Sequence, residues 1–400
     1  MNTLPAKKSL AFLDGLRGLA ALYVATGHAR WLLWEGGENY RQSAHAYSFF
    51  DKFLAIGMSF FKYGHEMVLF FFVLSGFVIH LKYSVRLSKG VHEPFEFGSY
   101  FFKRFRRIMP PYLFAFILTF ICDRIAAYYQ FSIFTHSTPI ALVNKNIVFE
   151  HSWSALIGNL FFLQDAYVPV FGSNGSIWSL KYEWYFYMLY PILLFFNKKK
   201  VVLTIVGLTA VFFLYLSGFA TGFILFDQVV ACLLSWWIGG FVADIYTGRV
   251  QISRYFIYPL ILIIGCIPLI HSAGIPALLK DQVVALGFMG LLLLLLDYRD
   301  SRGAEALGKL KWLGDCSYTL YLIHAPLLIV ANGLLLKATG NVMPSTFLYV
   351  WLAVAVVVIL AYGLHFLVEK PFISAEKKTG KTQSDPVPVM VTNPIKNNNG

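Results

Sequence analysis

Arg17 and His28 stand eleven residues apart in LDGLRGLAALYVATGHARW (13–31), with Asp14 three residues before the arginine. At 100° per residue, the three-residue step keeps Asp14 near Arg17. The eleven-residue step returns His28 to almost the same direction, so a helix here carries one polar stripe with Arg17 and His28 roughly 16 Å apart along its axis. A neutral imidazole can take a proton near physiological pH, and a guanidinium is a fixed cation with a planar fork of donors. The stripe therefore reads as the wall of a passage with His28 at its reactive end. Its structural alternative is an Asp14–Arg17 pair beside a satisfied core histidine.

A second ionisable group sits in GSIWSLKYEWYFYMLYP (175–191), where Glu183 lies in an otherwise apolar and aromatic run. Counted from the far ends of their helices, Glu183 is roughly 10 Å deep and His28 roughly 8 Å deep, which allows an oriented carboxylate–imidazole pair. The alternative is a structural carboxylate bonded to Lys181 or to a tyrosine hydroxyl. A third group is KRFRR (103–107), just before MPPY. Arg104 and Arg107 have the fork geometry of a phosphate or nucleotide clamp. The same run also serves topology and anionic-lipid contact.

Other polar residues carry less. His65 and Glu66 enter an apolar run that Ser75-Gly76 interrupts and read as structural or acceptor-positioning before catalytic; His324, two residues before Pro326, lines the same cavity or fixes a kink; His365 and Glu369 have the four-residue spacing of a local helix pair. No HExxH or zinc-spaced set, no GxGxxG and no phosphate-loop motif is present, so no metal site is expected. Cys122, Cys232, Cys266 and Cys316 lie far apart in or beside apolar segments and read as small buried hydrophobes.

The elements that must position these groups are membrane helices. With 58% hydrophobic and 14% charged residues among 400, and a mean hydropathy of +0.62, the composition excludes an ordinary soluble domain. Spans are expected at 11–33, 58–80, 109–130, 176–196, 201–217, 222–243, 254–270, 280–297, 313–335 and 347–369. The stretch 153–170 is too short and interrupted for another. With the N-terminus cytoplasmic, KRFRR, KKK (198–200), RDSRGAEALGKLK (299–311) and EKKTGK (376–381) all fall on the cytoplasmic side. This positive-inside pattern absorbs most of the net charge of +12 and leaves no need for a nucleic-acid partner. The fold class is thus an all-α polytopic membrane protein of about ten spans with both termini cytoplasmic. Residues 1–372 form one membrane domain, and 373–400 a disordered polar tail. The N-terminus reads as a retained first span, since no cleavage signal follows it.

LDGLRGLAALYVATGH (13–28), FFFVLSGFVI (70–79), KRFRRIMPPY (103–112), SIWSLKYEWYFYMLYP (176–191), YTLYLIHAP (318–326) and HFLVEKPF (365–372) together resemble the bacterial membrane acyltransferases of acyltransferase family three, which include O-antigen, capsule and peptidoglycan O-acetylases. The resemblance runs over nearly all of 10–372. It implies a ten-span inner-membrane enzyme that takes an acyl group, acetyl above all, from acyl-CoA on the cytoplasmic side and delivers it to a hydroxyl of a cell-surface carbohydrate. Arg17 and His28 look like the family's first-span pair, Arg104 and Arg107 like its RxxR, and Trp178, Ser179, Leu180 and Glu183 match its WSLxxE. On this footing His28, Glu183 and Arg17 are the catalytic candidates, and Arg104, Arg107 and Arg17 would hold acyl-CoA. The expected partners are acyl-CoA, a glycan acceptor and membrane lipids; self-association stays open. A transporter or flippase without acyl chemistry, and acyl transfer to a small molecule or lipid, are the competing readings.

Overall fold

The structure, a computed structural model, describes residues 10–43, 47–91 and 93–373. The expected tail beyond residue 373 lies outside them. Among the described residues there is no β-strand. In chain order the helices are α1 (Ala11–Leu33), α2 (Gly36–Ser43), α3 (Phe49–Ser59), α4 (Gly64–Ser88), α5 (Phe97–Tyr128), α6 (Ala141–Asn146), α7 (Trp153–Leu160), α8 (Leu180–Lys199) and α9 (Val201–Leu216). There follow α10 (Ile224–Tyr246), α11 (Ile257–Gly265), α12 (Ile267–Ser272), α13 (Ala277–Asp297), α14 (Arg302–Lys309), α15 (Lys311–Asp315), α16 (Ser317–Ala338) and α17 (Leu348–Val368).

Six of these, α4, α5, α10, α13, α16 and α17, are long and apolar enough to cross a membrane. The chain is accordingly an all-helical, multi-pass membrane protein. α1 has the length but also the charges of Asp14, Arg17 and Arg30. α9 has 16 residues, a rise of about 24 Å. The segment expected as one span at 254–270 is divided at Cys266, and Pro268 at the start of α12 supplies the reason, since it has no N–H to continue the ladder.

Three boundaries differ from expectation. The second long helix is α4, beginning at Gly64 instead of 58, because a 3-10 turn over Phe60–Lys62 with non-helical dihedrals at Phe61 separates it from α3. α5 starts at Phe97 instead of 109 and contains the whole KRFRR run, its first turns held by stacked Phe101 and Phe105 against Trp184. The loop expected at 34–57 contains α2 and α3, and α3 with the turn after it leaves Phe49, Phe53, Ile56 and Phe60 exposed along one side. The stretch 153–170 is α7 followed by turns. Asn159 fastens it, donating to Ala155 and Pro169 carbonyls and accepting from the Phe171 amide. Eight residues rise only about 12 Å, too little to cross.

Among the described residues the basic runs 103–107, 198–200 and 299–311 lie toward one end of the bundle, the basic end. There the buried Asp244 carboxylate accepts from His80 (3.0 Å), Ser84 (2.6 Å), Arg249 (2.6 Å) and Asn197 (2.8 Å), tying α4, α8 and α10 together. Four donors on one carboxylate satisfy a charge that burial would otherwise make costly.

α4 and α10 approach closely through glycines. A Cβ on Gly76 would collide with the Trp236 carbonyl, and one on Gly239 with the Val73 carbonyl. Backbone cannot yield as a flexible side chain does, so Gly76→Val is expected to cost about 1–3 kcal/mol by overpacking. Thermal unfolding in detergent should show the loss, whereas Gly207→Val, which meets nothing within 4 Å, should not.

Candidate active site

α1, α4 and α16 wall two chambers, one above the other, and α5 and α8 complete the first of them. The first lies toward the basic end and encloses about 920 Å³ including its mouth. Arg17, Arg104, Arg107 and Glu183 line it, with Ser75, Tyr187, Ser317 and Tyr318 and an apolar wall from α4. Three guanidinium groups against one carboxylate give it a strong positive field.

Arg17 reaches this chamber fixed on one side. Its Nε donates to Ser317 Oγ (3.0 Å), and Nη2 donates to the Gly314 carbonyl (2.8 Å) and lies 3.3 Å from Asp14. The local Asp14–Arg17 pair therefore exists, and it orients a residue that still has donors to offer. Gly314 can accept because its lack of a side chain lets α15 come against the Asp14 backbone. Arg104 sits between the rings of Tyr100 (5.5 Å) and Tyr187 (5.6 Å), and its buried Nε has no hydrogen-bond partner among the described residues. Arg104 and Arg107, three residues apart on α5, also line a second pocket at the basic end with Lys103 and Arg106. They thus face both the chamber and its approach, as one helical face allows.

The second chamber lies at the other end of the stripe. His28 lines it together with Gly27, Arg30, Trp31, Lys62, His65 and Trp178. Val68 and Tyr321 line both chambers and stand between them. Tyr321 is locked there, since its hydroxyl donates to the Ser176 carbonyl (2.9 Å) and accepts from Ser179 Oγ (2.8 Å).

His28 Nδ1 is 2.8 Å from His324 Nε2, with the rings 5.0 Å apart. His324 is fully buried, and its Nδ1 faces the Leu320 carbonyl at 3.2 Å. A carbonyl only accepts, so His324 Nδ1 carries the proton and its Nε2 is the acceptor. His28 Nδ1 is then the donor, which leaves the lone pair on His28 Nε2, the nitrogen needed by a general base. α16 supports this locally: Pro326 has no N–H for the Leu322 carbonyl, and Asn174 Nδ2 takes its place at 2.9 Å.

The expected pairing of His28 with Glu183 is not formed. Glu183 accepts from the Tyr187 hydroxyl, which also contacts Ser75 at 3.3 Å, and it belongs to the arginine chamber. The reason is local. Residues Gly175–Ser179 form a 3-10 helix, which advances about 2.0 Å per residue instead of 1.5 Å, so Trp178 remains level with His28 while Ser179 and Glu183 fall past Tyr321. Of the two structural partners considered for Glu183, the tyrosine is the one found; Lys181 turns away to Gln228 at 2.9 Å. Of the two roles read for His324, lining the cavity or fixing a kink, its contact with His28 favours the first, while Tyr321 and Tyr187 carry geometry that the sequence did not assign. A histidine at mid-depth two residues before a proline was the available signal.

The other polar residues singled out from the sequence, His65, Glu66, His365 and Glu369, are engaged. His65 bonds Asp281 (2.9 Å) and stacks on Trp178, and Glu66 is buried against His271. His365 and Glu369 form their local pair at 3.0 Å, which Thr319 joins at 2.8 Å. Among the described residues no group of three metal-ligating side chains forms.

Comparisons with curated proteins and with solved structures returned no match. A family model does match: the acyltransferase domain of acyltransferase family three, over residues 10–365, which takes in every residue that lines the two chambers. The chain belongs to acyltransferase family three, a family of membrane acyltransferases.

Proposed function

We propose that the protein moves an acetyl group from acetyl-CoA, held at the basic end, to a hydroxyl of a cell-surface carbohydrate held in the His28 chamber. In this reading the chain crosses the bacterial inner membrane ten times, with α1, α8, α9 and the broken α11–α12 segment completing the six apolar helices. The basic end and both termini face the cytoplasm, following the positive-inside rule. One observation carries the proposal: a chamber with three arginines and a chamber with an oriented histidine meet back to back across Val68 and Tyr321.

The CoA phosphates bind Arg104 and Arg107 by charge-assisted hydrogen bonds, and the pantetheine arm follows the chamber past Arg17. Glu183 offsets part of the arginine charge and holds Tyr187, which makes it a positioning residue for the donor. The thioester carbonyl comes to the Val68–Tyr321 boundary. An acceptor hydroxyl is a weak nucleophile, and His28 Nε2 takes its proton as the oxygen attacks the carbonyl carbon. The C–S bond then breaks, the imidazolium returns the proton to the sulfur, and the products are an ester and the CoA thiol. Purified protein in nanodiscs, given radiolabelled acetyl-CoA and candidate glycans, tests the reading. Labelled ester supports it, and movement of glycan without ester would replace it with transport.

His324 acts through His28, so its effect separates from binding. His324→Leu should lower kcat by about 10²-fold or more, by releasing the tautomer, with KM for acetyl-CoA unchanged. His324→Gln, whose amide oxygen can accept from His28 Nδ1, should recover part of the loss. Equal rates for the two variants would assign His324 to packing alone.

A further inference from the structure

The His28 chamber is basic in a way that base catalysis does not require. Arg30 and Lys62 both line it, and no carboxylate does. Neither has an ion-pair partner among the described residues, and two buried donors of the same turn, Arg30 Nε and Trp31 Nε1, have no acceptor. Two acids beside the chamber are already engaged, Asp281 by His65 and Glu66 by His271. The two cations are also brought together by construction. A Cβ on Gly27 would strike the Phe61 carbonyl, so the glycine lets the Phe60–Lys62 turn lie directly against α1, one helical turn before Arg30. The Tyr23 hydroxyl pins that turn by donating to the Phe60 carbonyl and accepting from the Tyr63 amide at 3.3 Å.

A partly buried guanidinium with an unsatisfied N–H is costly unless an anion completes it. Trp31 and Trp178 line the chamber beside it, Trp178 with His65 stacked on one face, and an indole suits a sugar ring. We infer that the acceptor carries a negative charge, a carboxylate or a phosphate on or next to the sugar that is acylated, and that Arg30 with Lys62 binds this group while the tryptophans hold the ring. This inference rests on the His28 chamber being the acceptor site. Arg30 supplies the fork and Lys62, at the exposed rim, a point charge. The anion sits beside His28 without contacting it, so it selects the acceptor and takes no part in the proton transfer.

The test uses the full-length protein in nanodiscs of zwitterionic lipid. Three acceptors are compared for ester formation from radiolabelled acetyl-CoA: a glucose disaccharide, the corresponding glucuronic acid disaccharide and its glucose phosphate counterpart. Direct binding of glucose, glucuronate and glucose phosphate is measured in parallel by calorimetry. Either charged acceptor should exceed the neutral one by roughly tenfold to a hundredfold in kcat/KM, as charge-assisted hydrogen bonds do, and the preferred arm identifies carboxylate or phosphate. Arg30→Gln and Lys62→Gln should each bring that ratio toward one. Equal use of neutral and charged acceptors, or a preference that survives both substitutions, overturns the inference. So does a preference abolished by adding anionic lipid, which would make the two cations a headgroup site. Anion binding that depends on Arg30 in a protein forming no ester would uphold the inference about the chamber and defeat acyl transfer to a glycan.

Discussion

Purified His28→Ala protein is expected to lose acyl transfer by about 10²- to 10⁴-fold while inserting normally and binding acetyl-CoA as the parent does. The magnitude is that of a general base in a reaction whose nucleophile is an unactivated hydroxyl. The sparing of donor affinity follows from the architecture, since His28 lines the chamber that holds none of Arg17, Arg104 and Arg107. Scintillation counting of labelled ester and calorimetry with CoA make the two measurements. Turnover retained by a well-folded His28→Ala variant would remove the base from the mechanism. A parallel loss of CoA affinity would mean that His28 holds the donor and that the two chambers are one site.

Replacing both Arg104 and Arg107 by Ala is expected to act in the opposite sense, weakening acetyl-CoA binding a hundredfold or more. A hydrogen bond to a charged group is worth about 1.5–3 kcal/mol, and each arginine supplies at least one. The two effects need not add, because the guanidinium groups share one ligand and Glu183 faces both. Arg104→Lys with Arg107→Lys should fall between, keeping the charges while losing the fork. Calorimetric titration with CoA decides the matter, and the parent's affinity should also fall with added salt. Unchanged affinity in the Ala double variant would return the run to topology and lipid contact.

What the sequence made legible was whatever a single helix determines. The stripe of Asp14, Arg17 and His28 depends only on helical angle, and it appears in α1 with the Asp14–Arg17 pair in place. Arg104 and Arg107 share a face for the same reason, although α5 begins twelve residues before the expected 109 and carries the run inside it. Contacts between distant helices were not legible. His28 and His324 are 296 residues apart, and nothing in either segment alone says that α1 and α16 touch at that level. Glu183 was misplaced by a depth count that assumed a uniform 1.5 Å rise, where a five-residue 3-10 stretch intervenes. The family match supplies membrane acyl transfer, and geometry supplies which imidazole nitrogen is free.

The locked tyrosine between the chambers has a meaning for the cell as well as for the reaction. A bilayer that stores an ion gradient cannot tolerate an open bore, and a passage polar at both ends invites one. Tyr321, held by Ser176 and Ser179, puts a bulky ring with an engaged hydroxyl between the two chambers. Under the proposed acyl transfer such an arrangement would work like an airlock: the fragment would change hands at the bulkhead while protons and salt stay on their own sides.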